Sequence, residues 1–152
     1  MTPGSYRERM TERGARQRGA RLDDIDTVAM GLPQVERSTS DDGRHSYAVA
    51  GRSFVFSRGP RKDAVDPDTG ELMEDVLVFH VPDPSDKDAL VEADGPFFTT
   101  PHWNGYKGVL LRERDLGRVS RQELEEVVTD AWLARAPRRL AQEWLAEQGE
   151  PG

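Results

Sequence analysis

Residues 45–57 read "HSYAVAGRSFVFS", and the way this stretch folds decides what the rest of the chain can become. His45–Ala50 and Ser53–Ser57 have the length and composition of short strands. The pair Gly51-Arg52 between them suits a two-residue hairpin turn, with glycine at the position that needs positive φ. Strands joined so tightly must run antiparallel. Phe54 and Phe56 alternate with Ser53, Val55 and Ser57, which predicts one strongly apolar face on the second strand.

Outward from the hairpin, Val35–Thr39 reads as a preceding strand. Before it, Leu22, Ile25, Val28, Ala29 and Leu32 recur at helical spacing, with Asp23 or Asp24 available as a cap and Pro33 as a stop. After it, "VLVFHV" (76–81) is apolar on both faces and reads as a central strand. His80 inside it is expected to be a satisfied sheet residue and not a ligand. Pro84 to Ala93 reads as a short helix with Ser85 and Asp88 spaced like a cap. Lys107–Arg112 reads as a further strand. Ser120 and Glu123 form a capping pair for a helix from Arg121, and Val119 and Leu124 are spaced as a hydrophobic staple. Leu124, Val127, Val128, Ala131 and Trp132 make its apolar stripe. Pro137 breaks this helix or starts a second one carrying Leu140, Trp144 and Leu145. The order predicts an α+β fold of two layers, an antiparallel sheet with helices packed on it.

A chain of 152 residues is one domain on ordinary priors and large enough to bury a core without metal or disulfide. Zero cysteines and three histidines exclude a disulfide framework and thiolate chemistry, and a zinc site would need carboxylates to complete it. No apolar stretch approaches the ~18 residues of a membrane span, and no apolar segment follows the charged N-terminus as in a secretory signal. A soluble, cytoplasmic protein is expected, with no obligate cofactor, no metal and no membrane partner; a monomer is favoured. The net charge of −7 is uneven. Residues 1–21 hold six arginines against two glutamates and read as a flexible arginine-rich arm, either a basic tail for phosphate or a mobile leader. Residues 22–94 are strongly acidic, and 95–152 nearly neutral. The single folded domain is placed at residues 22–148.

The segment "FFTTPHWNGYKGVLL" (97–111) is the chemically densest in the chain. Thr99, Thr100 and His102 are neighbours in sequence, which is not triad geometry, and the chain has no phosphate loop or nucleophile elbow. No enzymatic activity is expected. Trp103 and Tyr106 flank Asn104-Gly105, a natural tight turn. Exposed, such a turn offers stacking faces and donors for a nucleic acid or other ligand. Packed, it covers the sheet edge. Asp66-x-Asp68-x-Gly70-Glu71 lacks the remaining ligands of a calcium loop and reads as an Asp-Thr-Gly turn.

That segment, followed by "ELEEVVTDAWLARAPRRLA", together with "VPDPSDKDALVEADGPFF", "MGLPQVERS" and "YAVAGRSFVF", resembles the actinobacterial branch of the MmcQ/YjbR family over about residues 22–146. The resemblance implies a compact α+β fold of CyaY-like or double-wing topology. Members of that family are commonly labelled DNA-binding proteins, so DNA is the candidate partner, and no catalytic residue carries over. The candidate nucleic-acid or ligand contacts are His102, Trp103, Asn104, Tyr106, Lys107, Arg112, Arg135, Arg138 and Arg139. An alternative is a protein-interaction or small-ligand domain. The frataxin-like comparison adds a third reading, iron held by Asp23, Asp24 and Asp26, although acids at a helix start also serve as caps. The arginines around Pro137 have a structural reading too, as partners of helix-end carbonyls.

Overall fold

The hairpin becomes the middle of a five-stranded sheet. The structure is a computed structural model, and it describes residues 19–58, 65–66, 68–73, 75–93, 95–100 and 106–149. Strands β1 (Val35–Thr39), β2 (His45–Val49), β3 (Arg52–Arg58), β4 (Val76–His80) and β5 (Gly108–Arg112) lie side by side in chain order, each antiparallel to the last. Among the described residues four helices accompany them: α1 (Leu22–Met30), α2 (Pro84–Glu92), α3 (Arg121–Arg135) and α4 (Arg138–Gly149), with a 3-10 turn over Glu113–Arg118. This is the expected α+β architecture.

Two local details differ from the sequence reading. Val49 pairs with Arg52, so the hairpin loop is Ala50-Gly51, with φ of 52° and 77°. Two positive φ values make a type I′ turn, whose twist matches that of its strands. Gly51 adopts this freely, whereas Ala50 is held there against its preference. Further along, Tyr47 pairs with Val55 and Ala48 with Ser53, leaving Phe54 as an extra residue in β3. Such a bulge breaks the alternation. Phe54 and Val55 therefore enter the same core, while Phe56 packs on the opposite side. The expected shared face of Phe54 and Phe56 does not form.

The main core lies between the sheet and α3. Leu124, Val127, Val128, Ala131 and Trp132 are buried, as their spacing requires, against β2, β3 and β4. Trp132 is 0% exposed. Its Nε1 donates to Pro33 O at 3.1 Å, and its ring lies 5.6 Å from that of Trp144 on α4. One side chain thus joins α3, α4 and the chain beyond α1. Helix α1 packs on α3 and β1. Asp26 ties it down by accepting from Arg37 Nη1 at 2.6 Å and from the Tyr47 hydroxyl at 3.0 Å.

The other face of β4 and β5 carries a smaller cluster of Met73, Val76, Val78 and Leu110, with Phe56, Phe98 and Tyr106 against it. Strand β4 is buried throughout, as a central strand should be. Phe98 and Leu110 exchange backbone hydrogen bonds at 2.9 Å each way, which widens the sheet beyond β5.

Capping follows side-chain reach more than spacing. Ser120 Oγ accepts from Glu123 N at 3.0 Å, as expected. Helix α2 is capped by Asp83, which accepts from Ser85 N at 2.8 Å, and not by Ser85. Asp24 sits inside the first turn of α1 and accepts from Arg21 N at 2.8 Å. Gly19 bridges Ser120, and Ala20 N donates to Val119 O at 2.7 Å with its side chain in the core. The remainder of the expected arm, residues 1–18, lies outside the described residues.

Candidate functional site

Strands β4 and β5 pair from Val76↔Arg112 at one end to His80↔Gly108 at the other, and both ends carry polar groups. At the Arg112 end the predicted Asp-Thr-Gly turn forms. Asp66 Oδ1 accepts from the N–H groups of Asp68 (2.8 Å) and Thr69 (3.3 Å), and Gly70 takes φ 74°. Asp66 Oδ2 receives Arg112 Nη1 at 2.5 Å and Arg114 Nη2 at 3.2 Å. Arg112 Nε reaches Asp75 Oδ1 at 2.8 Å, and Asp75 Oδ2 accepts from Arg114 N at 3.2 Å. The turn N–H of Asp68, aided by Arg112, holds the Asp66 carboxyl below its ordinary value. For Asp75, burial pushes upward, but the hydrogen bonds from Arg112 and Arg114 outweigh it and the net direction is down. Both carboxylates are engaged with protein donors, so this loop is a fastening and not a cation cradle.

The His80 end is built differently. Gly108 is close-packed there: a Cβ on it would lie 2.5 Å from the Tyr106 ring and 3.1 Å from Phe79 O. Only glycine lets Tyr106 lie across the sheet, and the tyrosine ring then meets His80 edge-on, with centroids 5.6 Å apart at 85°. Lys87, itself 6% exposed, donates from Nζ to Tyr106 O at 2.7 Å. Burial lowers the Lys87 ammonium and raises the Tyr106 phenol relative to their ordinary values.

His80 is only 8% exposed, and its Nδ1 has no hydrogen-bond partner among the described residues. Arg135 Nε, buried at the last turn of α3, has none either. Burial, then the charges of Arg135 and Lys107, push His80 down to about 4. The ring is therefore neutral at pH 7, held beside two cations. Among the described residues no acid is one of the charges that shift His80. Asp83 is occupied as the α2 cap and is lowered chiefly by the Ser85 hydroxyl. Asp130 is raised by burial and by the charges of Asp86 and Glu126.

The candidate contacts therefore divide. Tyr106 packs on His80, and Lys107 and Arg135 lie close enough for their charges to act on it. Arg138 and Arg139 follow on the first turn of α4, exposed to solvent. Arg112 is at the opposite end of the strand pair, paired with Asp66 and Asp75. His102, Trp103 and Asn104 lie outside the described residues. Sequence reasoning missed His80, expected to be satisfied, and Lys87, which no pattern singled out. The signal for His80 was available: it is the one ionisable group in the apolar run 76–81. Of the acidic trio, Asp24 caps α1 and Asp26 is bound to Arg37 and Tyr47, leaving Asp23 alone with its charge exposed. Among the described residues no group of three histidines, aspartates or glutamates is arranged to hold a metal ion, and no helix is long and apolar enough to cross a membrane.

Fold and site together define a two-layer α+β domain with a cationic, partly unsatisfied sheet end. The family model YjbR matches residues 30–134, and the chain belongs to that family. It is 34% identical over 135 residues to uncharacterized proteins of Mycobacterium bovis and Mycobacterium tuberculosis, covering 86% of this chain and 99% of each relative. Among solved structures it is similar to the Deinococcus radiodurans protein DR2400, family domain DUF419. The TM-score is 0.53 at 20% identity, covering 86% of this chain and 89% of the other. That likeness speaks to the fold alone.

Proposed function

We propose that this chain is a non-catalytic, cytoplasmic DNA-binding domain whose contact surface is the Lys107–Arg135 end of the sheet, continued by Arg138 and Arg139. The observation that supports this reading is where the last two arginines sit. They occupy the first turn of α4, the positive end of the helix dipole, where a cation is disfavoured by about 0.3–1 kcal/mol. Their structural reading as partners of helix-end carbonyls fits Arg135, in the last turn of α3, but not these two. Among the described residues Arg139 meets Glu143 at 3.3 Å, with a side chain 91% exposed, and such a surface pair contributes little. An anionic partner accounts for the placement, because helix N-termini and arginines both receive phosphate. Binding that neutralises phosphates with these side chains has an affinity that falls steeply with salt.

The hydroxyl–imidazole pair of Thr39 Oγ1 and His45 Nδ1, 2.9 Å apart, lies on exposed strand ends, where water competes for both groups. The test is duplex DNA titrated across about 50 to 200 mM salt, where phosphate contacts make log affinity fall linearly with log salt. The triple variant Lys107→Glu, Arg138→Glu, Arg139→Glu should bind more weakly and flatten that slope by about 0.9 for each phosphate that is no longer neutralised. Affinity indifferent to salt, or to the triple substitution, refutes the reading. A second reading, a small-ligand domain, is favoured by a cavity of about 390 Å3 between Met73, Phe98, Thr100, Arg112 and Arg114.

A further inference from the structure

The His80 end contains more than a basic surface. We infer that His80, Lys107 and Arg135 form a built site for one phosphate group. The inference deepens the reading above, on which it rests for the anionic class of ligand.

Buried polar atoms in folded proteins nearly always have hydrogen-bond partners, and each orphan calls for an explanation. Here two orphans, His80 Nδ1 and Arg135 Nε, occur on different elements of one cluster. Leaving such groups unpaired costs about 1–3 kcal/mol each, so a fold that keeps them unpaired is preserving something other than stability. For Arg135 the missing partner has to be an acceptor, and for His80 Nδ1 it is one once that nitrogen carries a proton. Arg135 can only donate, Lys107 can only donate, and His80 donates from whichever nitrogen carries a proton. Three donors come from three elements: the last residue of β4, the residue before β5, and the last turn of α3. A phosphate, with acceptor oxygens in three dimensions and two charges, matches such an arrangement, and the arginine fork suits it specifically.

Every charged group facing the cluster bears on the sign of the effect. Arg135 and Lys107 act on His80 directly. Lys87 faces inward to Tyr106 O. Asp83 is engaged as a helix cap, close enough to feel Lys107, while Asp86 and Asp130 interact with each other. The two charges that act on His80 are therefore both positive. A phosphate seated between them neutralises that repulsion and offers His80 an acceptor, so the imidazole takes up one proton from solvent as the anion binds. Phosphate binding and His80 protonation are one coupled event.

The experiment reads His80 itself. In full-length protein with isotope-labelled histidine, His45→Gln and His102→Gln leave its ring signals assigned. The apparent pKa of His80 is measured in sodium phosphate and in sodium chloride of equal ionic strength. In phosphate it should rise by about one unit, a tenfold change in proton affinity. Arg135→Gln should abolish the rise, and the solvent-exposed Lys107→Gln should reduce it. Two further arms use one oligonucleotide duplex with and without a 5′-phosphate. A rise with both forms assigns the site to backbone phosphate, and a rise only with the phosphorylated form assigns it to a phosphate monoester. Identical titrations in phosphate and chloride overturn the inference, as does a phosphate response that survives Arg135→Gln. Salt-dependent DNA binding that leaves His80 unmoved sinks this site while leaving the broader reading intact. A His80 response to inorganic phosphate without any DNA affinity does the reverse.

Discussion

The two ends of the β4–β5 pair belong to one ladder of the sheet, and they treat their charges in opposite ways. At the Val76↔Arg112 end, Arg112 is only 14% exposed and meets Asp66 and Asp75, which are themselves held by backbone N–H groups. Arg112, Arg114, Asp66 and Asp75 are paired with one another there. At the His80↔Gly108 end, a buried imidazole nitrogen and a buried guanidinium nitrogen meet no acceptor among the described residues, with cations as neighbours. The first arrangement is what a fold does to secure a turn against a sheet. The second lowers stability locally, and proteins tolerate such departures where a ligand later completes the bonding.

The scaffold beneath both ends sets the upper limit of any mutational effect. Trp132→Ala removes a fully buried ring together with its bond to Pro33 O and its packing on Trp144. It should cost about 3–5 kcal/mol in denaturant unfolding, and a near-neutral result would show that the two-layer packing is wrong. The next effect separates the ends. Arg112→Gln removes the guanidinium shared by Asp66 and Asp75, leaving them Arg114 and backbone donors, and should lower the thermal midpoint by a readily measured amount, smaller than for Trp132→Ala. Arg135→Gln removes a donor whose Nε has no partner among the described residues and should leave the midpoint unchanged or raise it. Equal losses from the two arginines would erase the distinction on which the candidate site rests.

How much of this contrast could be read in the chain itself depends on the distance over which each feature is decided. The strands, and the start of α3 at Ser120, were legible because alternation and capping are local. The bulge at Phe54 was not: one extra residue on β3 is invisible until β2 is laid beside it, and it moved Phe56 to the opposite face. Arg112 looked like a free cation because its partner Asp66 is 46 residues away. His80 looked satisfied for the complementary reason. A polar residue in an apolar strand is normally paired, and only the docking of α3 and the Tyr106–Gly108 packing show that this one is not. Local pattern therefore carries the architecture, while the site is a property of long-range neighbours.

The smallest effect is the one that reports on the unsatisfied end alone. His80 is held near 4 in the folded chain, against about 6.5 for an unperturbed histidine, first by burial and then by Arg135 and Lys107. Between those values the unfolded chain binds a proton that the folded chain refuses. Stability is thus fully present above about pH 6.5 and declines as the pH falls toward 4. Carboxylates contribute their own slopes: Asp66 and Asp75, lowered by their partners, lose stabilisation at still lower pH. Glu123 and Asp130, raised chiefly by burial, act in the opposite sense as they protonate. Comparing wild type with His80→Gln cancels those common terms. Over pH 6.5 to 4 the variant should lose less stability than wild type in urea titrations, and the gap should close above pH 7. Parallel curves would mean that His80 is paired or solvated in solution, and the two ends of the strand pair would then differ only in sequence.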